Sequence, residues 1–393
     1  MEPIHISTSS KKLLARARAI VPPMLEKFHK GQLGRVAVIG GSADYTGAPY
    51  FSAIASARLG MSYGLHSVWQ YFIGLRVLLT EIDRSHVICE KSAASVIKSY
   101  SPNLMVHPIL PSSATVPNPG SIDPPALAKP IIGMFSRLHV LVIGPGLGRD
   151  GVTQRVVEEI MKEARSRSLP FVLDADALLL VTEKPDLVKG YKECILTPNV
   201  VEFSRLAKAL GIEVPSQADV QKGGQAGQQL SEDEKTSKAS EACEKLAQAL
   251  GGVTIIQKGP RDIISNGVTS LVSDIPGGLK RSGGQGDTLT GCLGTFLAWR
   301  SAYHEGVWDT GEKANDKIAQ SKEEVRAELE DPSKKMSPTT TLLLVAYAGS
   351  SLTRDCSRRA FKAKGRSMQA SDLTDEVHES FLSLIGEPEE SKL

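Results

Sequence analysis

The chain has few cysteines, and no two of them lie close together in sequence. The five cysteines among its 393 residues form no Cys-x-x-Cys pair. This argues against a disulfide framework or a zinc site and fits a reducing compartment, so we expect a cytoplasmic protein. Basic residues near the N-terminus suggest mitochondrial import as an alternative, which the acidic Glu2 disfavours. These basic residues are Lys11, Lys12, Arg16 and Arg18.

Aromatic residues, excess charge of one sign and long apolar runs are also scarce. Aromatics make up 5% of the chain, and its formal net charge is +2. A basic surface and stacking platforms for nucleic acid are therefore not expected. The longest apolar run, Val68 to Leu79, is too short to cross a bilayer and contains Arg76. We expect the protein to bind small molecules but neither nucleic acid nor membranes. The sequence is also compatible with a homo-oligomer.

Two common nucleotide-binding motifs are absent from the sequence. No Gly-x-x-x-x-Gly-Lys-Ser/Thr segment occurs, which excludes a P-loop ATPase. Gly40-Gly41-Ser42 follows a strand-like run but lacks the Gly-x-Gly-x-x-Gly spacing of a dinucleotide-binding turn. An oxidoreductase is therefore disfavoured.

The chain repeatedly places a short β-branched run before a turn and then a segment of helical periodicity. Such runs, without alternation, are typical of parallel strands buried on both faces. We predict an α/β fold of three layers, with a mostly parallel central sheet and helices on both faces. Ligands would lie at the carboxyl ends of the strands. The runs are 35–39, 140–143, 171–173, 194–196 and 253–256.

We expect one domain over residues 1–393, with two polar stretches at its periphery. Residues 216–240 and 312–335 are rich in charged and small polar residues and have few large apolar ones. The first is interpreted as a flexible loop or a solvated helix, and the second as similar. Removing or shortening either stretch is predicted to cost little.

The strongest chemical motif is a glycine loop that leads into an apolar helix. Gly283-Gly284-Gln285-Gly286 precedes Asp287, and the small-residue segment Thr288 to Leu297 follows. Glycines let successive backbone N–H groups converge at a helix N-terminus, which favours a transferring phosphoryl group. A carboxylate at that point can take the proton of a substrate hydroxyl. The alternative, a simple aspartate helix cap, does not require three glycines.

This Gly-Gly-Gln-Gly-Asp run resembles the signature of ribokinase-like enzymes. Its form here is similar to the ATP-dependent NAD(P)H-hydrate dehydratases of eukaryotes, fungal ones included. Further blocks match that family in the same order along nearly the whole chain. Some members have cysteine where this chain has Ser282, which leaves the backbone of the loop intact. The matching blocks are 40–50, 144–149, 173–178, 196–206 and 257–262.

The resemblance implies an activity and a set of site residues. Such enzymes use ATP to dehydrate the S-epimer of hydrated NADH or NADPH, releasing ADP and phosphate, and they use Mg²⁺. Catalysis would fall to Asp287 with Gly284 and Gly286, and Asn199 and Glu202 would hold the metal through water. The implied hydrate-binding residues are Gly146, Asn199, Val200, Val201, Glu202, Phe203, Ser204, Arg205 and Asp287. The implied ATP-binding residues are Lys258, Gly259, Pro260, Arg261, Asp262, Gly277, Gly278, Leu279, Lys280, Arg281, Ser282, Gly283, Gly284, Gln285 and Gly286.

Alternatives remain open at several of these positions. Asn199 and Glu202 also fit the start of a helix, and Asp174 and Asp176 fit either substrate hydroxyls or a helix cap. Gly146 fits a plain left-handed turn as well as close backbone approach to a substrate. At the level of function, a ribokinase-like kinase of a vitamin or sugar would share the Asp287 chemistry but keep the phosphate on its product. A non-catalytic nucleotide-binding scaffold would not need Asp287.

Residues 61–82 depart from the family pattern. About two dozen residues separate Gly60 from the strand-like 85–90, where the family has a short connection, and they include Trp69, Tyr71 and Phe72. A solvent-facing insertion of this composition would expose an apolar patch. The codons available to Gly60-Met61-Ser62 can resemble a fungal splice donor, which suggests a retained intron. A genuine insertion that binds a partner is the alternative.

Overall fold

A nine-stranded sheet forms the centre of the molecule. The computed structural model describes residues 6–25, 28, 32–60, 85–213, 231–315 and 318–388. The strand order is β3-β2-β1-β4-β5-β6-β7-β8-β9. Strands β1 to β7 pair with one another in parallel, whereas β8 is antiparallel to β7 and β9 is antiparallel to β8. The strands are β1 Val36–Ile39, β2 His86–Glu90, β3 Met105–Leu110, β4 Val140–Ile143, β5 Phe171–Leu173, β6 Cys194–Leu196, β7 Thr254–Gln257, β8 Asp262–Ser265 and β9 Ser270–Ser273.

The helices cover both faces of this sheet, as the uninterrupted apolar strands predict. In β1, Val36 and Val38 point into one core, whereas Ala37 and Ile39 point into the other. One face carries α1 Thr8–Ala17, α2 Gly47–Gly60, α3 Lys91–Tyr100, α9 Gln285–Glu305, α10 Lys322–Glu330, α11 Pro338–Lys364, α12 Ala370–Asp375 and α13 Val377–Leu384. The other carries α4 Pro124–Ile132, α5 Gly151–Ser166, α6 Asp176–Glu183, α7 Val200–Ala209 and α8 Glu232–Ala249. The predicted three-layer fold is thereby confirmed.

The strand order reverses at β1. From β1 the chain first builds outward through β2 to β3, then returns to add β4 on the other side of β1. The loops after β1 and β4 therefore leave the sheet in opposite directions and open a crevice at the carboxyl ends of the strands. Ligand-binding residues are expected around this crevice.

The two stretches that the sequence suggested were peripheral are partly built into the fold. Ser231 begins α8 with a capping box, and Cys243 and Leu246 of that helix are buried. Residues 231–240 are therefore the first half of a packed helix, which corrects the loop alternative for them. Residues 214–230 lie outside the described part of the chain.

The stretch 312–335 needs a larger correction. Glu312 pairs with the buried Arg16 of α1, and Val325 of α10 is 1% exposed. Glu328 is buried and accepts hydrogen bonds from the backbone N–H and the hydroxyl of Ser337, at 3.0 and 2.7 Å. Glu312 and Glu328 are therefore buried partners rather than parts of a solvated face, although most other charged residues of the stretch are exposed. Shortening the stretch is therefore expected to cost more than the sequence suggests.

Residues 61–82, the suggested intron or insertion, lie outside the described residues. Within the described ranges, α2 ends at Gly60 and β2 begins at His86 beside β1. None of the helices in those ranges is long and apolar enough to cross a membrane.

Candidate active site

The loops after β1 and β4 meet at the point where the strand order reverses. The Gly41 N–H donates to the Gly146 carbonyl at 3.0 Å, and the Ser42 hydroxyl donates to the same oxygen at 3.1 Å. A side chain at Gly40 would meet the Pro145 carbonyl oxygen at 2.0 Å. Gly146 has a φ of +60°. Glycine at both positions therefore allows two backbones to lie in contact at the crevice.

The next loop, after β5, ties its neighbours together through two carboxylates. Asp176 Oδ2 accepts a hydrogen bond from the Gly148 N–H at 3.0 Å. Asp174 Oδ1 accepts from Lys258 Nζ at 2.7 Å and from the Thr197 hydroxyl at 2.8 Å. The residue before α6 is Ala175, with no side-chain cap. The capping alternative is therefore wrong for Asp174, whose carboxylate joins the loops after β5, β6 and β7.

Asn199 and Glu202 form the start of α7. Asn199 Oδ1 accepts from the N–H groups of Val201 and Glu202 at 2.9 and 3.0 Å, and Glu202 Oε2 accepts from the Asn199 N–H at 2.8 Å. This capping box confirms the helix-start alternative, while the metal role stays a prediction. Asn199 also bridges to Lys258, which places α7 beside the loop after β7.

The glycine loop lies against the Asp174–Lys258 ion pair. A methyl group at Gly286 would be 3.1 Å from Asp174 Oδ2 and 3.4 Å from Lys258 Nζ, and one at Gly284 would meet Ala370 Cβ at 2.3 Å. Gly284, with a φ of +91°, is the N-cap residue of α9 and makes no side-chain cap bond. Asp287 lies within the first turn, so the capping alternative is wrong for it too.

The electrostatics of this cluster favour a base that works near neutral pH. Burial, reinforced by the neighbouring Asp174 carboxylate and opposed by Lys258, raises the pKa of Asp287 to about 7. Burial lowers the pKa of Lys258, but the carboxylates of Asp174, Glu202 and Asp287 outweigh it and raise the pKa overall. Burial also raises the pKa of Glu202. A carboxylate with a pKa near the working pH is well matched to proton transfer.

Comparison with known proteins places this geometry in a family. A family model described as NAD(P)H-hydrate dehydratase matches residues 36–379. The chain belongs to the NAD(P)H-hydrate dehydratase family. It is 72% identical over 392 residues to the ATP-dependent (S)-NAD(P)H-hydrate dehydratase of Aspergillus fumigatus, covering 100% of this chain and 99% of that protein. It is 42% identical over 374 residues to the protein of the same name from Schizosaccharomyces pombe, covering 95% and 93%.

Solved structures agree with the fold expected of this family. A ribokinase-like superfamily protein from Enterococcus faecalis superposes with a TM-score of 0.58 at 16% identity, covering 97% of this chain and 99% of that one. The ADP/ATP-dependent NAD(P)H-hydrate dehydratase of Bacillus subtilis, co-crystallized with ATP/Mg²⁺, gives a TM-score of 0.52 at 17% identity, covering 93% and 95%. The predicted ribokinase-like fold is confirmed.

The predicted ATP-binding stretches of this family member are held by one helix, which the motifs did not reveal. From α11, the Ser350 hydroxyl donates to Asp262 Oδ2 at 2.8 Å. The Arg354 guanidinium donates to Asp262 Oδ1 at 3.2 Å and to the carbonyls of Gly259, Pro260 and Ile275. Arg354 therefore fixes the turn between β7 and β8 and also the segment just after β9.

The same helix holds the second ATP-binding stretch. The Ser357 hydroxyl accepts from the Gly278 N–H at 3.3 Å and is 3.1 Å from the side-chain nitrogen of Gln285. Lys280 Nζ donates at 2.7 Å to the carbonyls of Arg366 and Met368, just after α11. The spacing of Ser350, Arg354 and Ser357 puts three polar side chains on one face of an otherwise buried helix, which is the sequence signal that could have found them.

Two of the predicted ligand-binding side chains are buried. Phe203 is 0% exposed and packs in the core beneath α7. The predicted contact between the Phe203 side chain and the substrate is therefore wrong. Asp262 is 7% exposed, and its carboxylate oxygens accept hydrogen bonds from the Gly259 N–H and the Ser350 hydroxyl, so its side chain holds the turn after β7 while its ATP-binding role stays a prediction. In contrast, Leu279 is 88% and Val201 is 54% exposed. Arg205 and Arg281 are also exposed.

Proposed function

We propose that this chain uses ATP to dehydrate the S-epimer of hydrated NADH and NADPH, with Asp287 as the catalytic base. The observation that carries the proposal is the position of Asp287 in the first turn of α9, one residue after Gly286 and beside the Asp174–Lys258 pair. The burial that raises the pKa of Asp287 to about 7 gives it the basicity that proton abstraction needs. The curated relatives are named for this activity.

The reaction has two steps in this site. In the first, the ring hydroxyl of the hydrate attacks the γ-phosphorus of ATP, the bond to the ADP oxygen breaks, and Asp287 takes the hydroxyl proton. In the second, the carbon–oxygen bond to the new phosphate ester breaks. A proton leaves the neighbouring ring carbon, which restores the ring double bond and releases phosphate. The products are NADH or NADPH, ADP, phosphate and a proton.

The glycine loop and Lys258 would stabilise the charge that develops during phosphoryl transfer. The backbone N–H groups of Gly283 to Gly286 stand at the N-terminal end of the 21-residue helix α9, where the helix dipole favours an anion. Lys258 Nζ lies against the same loop, so its charge can reach the transferring group. The turn Lys258–Asp262 and the stretch Gly277–Gly286 would hold the rest of the nucleotide.

The oxygen donors near α7 suit a hydrated Mg²⁺ better than a directly bound ion. Among the described residues, no group of three or more His, Cys, Asp or Glu side chains could hold a metal. Asn199 Oδ1 is engaged by two N–H groups, whereas Glu202 bonds through Oε2 and keeps its second oxygen for a water ligand. Glu202, with Asn199, would hold Mg²⁺ through water, and the ion would neutralise phosphate charge when bound with ATP.

One assay tests the proposed function. The full-length protein is incubated with ATP, Mg²⁺ and (S)-NADH hydrate, and the absorbance band of the dihydronicotinamide is followed. We expect the band to recover only with ATP present, with one phosphate released for each NADH formed. A vitamin or sugar kinase would leave the band unchanged, and that result would exclude the dehydratase function.

We also propose that the protein works in the cytoplasm. Lys11, Lys12 and Arg16, three of the basic residues that suggested mitochondrial import, belong to α1. This helix is packed into the fold, since Leu14 is 1% exposed and Arg16 pairs with Glu312. Fractionation of cells that express the tagged full-length chain provides the test. Enrichment of the protein with mitochondria would contradict the proposal.

A further inference from the structure

Three carboxylates lie near the ammonium group of Lys258. Within the described part of the chain, only that of Asp174 accepts a hydrogen bond from it. The carboxylates of Asp174, Glu202 and Asp287 all favour the charged form of Lys258 and so raise its pKa. Its Nζ donates to Asp174 Oδ1 at 2.7 Å. The side chain of Asp174 is 5% exposed, against 24% for that of Lys258. Asp174 is therefore the more buried member of the ion pair and the one that the surrounding structure holds in place.

Asp174 is itself fixed by the fold on more than one side. The Thr197 hydroxyl donates to its Oδ1 at 2.8 Å. The Asp174 N–H donates to the Ile143 carbonyl, and a side chain at Gly144 would meet the Asp174 carbonyl oxygen at 1.9 Å. A carboxylate held in this way has little freedom to follow the ammonium group, so it determines where Lys258 Nζ stays.

We propose that Asp174 is a positioning residue for phosphoryl transfer, holding the Lys258 ammonium against Gly286 and away from Asp287. This inference rests on the proposed function of the site. The pair lies close to the glycine loop: a methyl group at Gly286 would be 3.1 Å from Asp174 Oδ2, a tight contact, and 3.4 Å from Lys258 Nζ, an ordinary one. Without Asp174, the ammonium group would be drawn to the Asp287 carboxylate and would weaken it as a base.

A double-mutant cycle tests whether Asp174 acts through Lys258. Asp174→Asn keeps the size and an oxygen acceptor but removes the charge, and it should lower kcat about tenfold with the KM for the hydrate little changed. Lys258→Met should lower kcat about a hundredfold or more, the range found when a group that stabilises transition-state charge is removed. The double variant should lose much less than the product of the two single losses, because the positioned group is already absent and only the direct effect of the Asp174 charge on Asp287 remains.

Conservative variants and a control complete the experiment. Lys258→Arg should recover part of the activity of Lys258→Met, and Thr197→Val, which removes one donor to Asp174, should lower kcat about threefold in the wild type but not in Lys258→Met. Glu163→Gln removes one charge of a surface ion pair with Arg167 near the end of α5 and should leave kcat unchanged. Each variant's melting temperature is measured alongside.

Two results would overturn the inference. One is a double variant whose loss in kcat equals the product of the two single losses, because Asp174 would then act independently of Lys258. The other is a loss in Asp174→Asn that appears only as a lower melting temperature, with kcat retained. Failure of the wild-type protein to convert the hydrate would instead remove the proposed function, so the two failures are distinct.

Discussion

At the scale of single residues, the proposed chemistry depends on Asp287. Replacing Asp287 with Asn keeps the size of the side chain but removes the ability to accept a proton. General-base catalysis is typically worth about a hundred- to ten-thousandfold, so we expect a loss of kcat of that order. ATP binding, measured by calorimetry, should persist. Activity close to that of the wild type would show that another group takes the proton.

The raised pKa of Asp287 also predicts a pH-dependent effect on stability. In the unfolded chain Asp287 ionises near its ordinary pKa of 3.8, whereas in the fold its pKa is about 7. Ionisation therefore destabilises the fold progressively as the pH rises from 3.8 to 7, and the full cost is present above 7. Asp287→Asn should raise the melting temperature at pH 8 and give no gain near pH 4. An equal gain at both values would contradict the raised pKa.

At the scale of elements, side chains of α11 hold both predicted ATP-binding stretches in place. Arg354→Met removes the guanidinium that holds the Gly259, Pro260 and Ile275 carbonyls. Because hydrogen bonds to charged groups contribute about 1.5–3 kcal/mol, we expect the KM for ATP to rise roughly ten- to a hundredfold, with the KM for the hydrate little changed. Steady-state kinetics with each substrate varied in turn provides the measurement.

The same helix offers a matched control. Arg358 pairs with the buried Asp355 one turn further along α11. Arg358→Met is expected to lower the melting temperature without a selective change in the KM for ATP. If it raised that KM as much as Arg354→Met does, the effect would belong to the stability of α11 and not to the loop.

The two polar stretches should respond differently to deletion. Removing residues 216–230 leaves α7 and the Ser231 cap of α8 intact, and shortening a connection changes the entropy of closing it only slightly. Removing residues 312–335 would leave Arg16 buried without Glu312, a loss typically worth about 3–5 kcal/mol. We expect soluble, active protein from the first deletion and insoluble protein from the second. Equal yields would show that 312–335 is dispensable.

These elements also show what the sequence could and could not predict. Six of the nine strands and the glycine loop were predicted because their signals are local: apolar runs that end in turns, and glycines directly before Asp287. Strands β3, β8 and β9 were not predicted. Arg354 was not predicted, since its partners lie 79–95 residues away and only the folded chain brings them together. Glu312 and Glu328 were misassigned because a buried ion pair and a solvated charge look the same in a sequence.

At the scale of the whole molecule, the order of the strands brings the loops of the candidate site together. The reversal of strand order at β1 opens the crevice, and the loops after β4, β5, β6 and β7 follow one another along the carboxyl edge. The hydrogen bonds from Gly41 to Gly146, from Gly148 to Asp176 and from Lys258 to Asp174 link these loops into one surface. A substitution that moves one of these loops should therefore also shift the loops hydrogen-bonded to it.

The topology also frames the last prediction, which concerns residues 61–82. Strands β1 and β2 pair in parallel with α2 between them, and connections between a helix and the next strand in such units usually span about 2–6 residues. A connection of the usual length would be much shorter than the stretch between Gly60 and Ser85 in this chain. If the segment is a retained intron, a chain without residues 61–82 should be more soluble and at least as active as the full chain.

Sequencing the mature transcript provides an independent decision on this segment. An intron predicts a message that lacks these codons. A message that keeps them, together with loss of dehydratase activity in the deleted chain, would establish a genuine insertion. In that case, the apolar composition of the segment would indicate a partner-binding surface, because exposed apolar patches of this kind mark interaction sites.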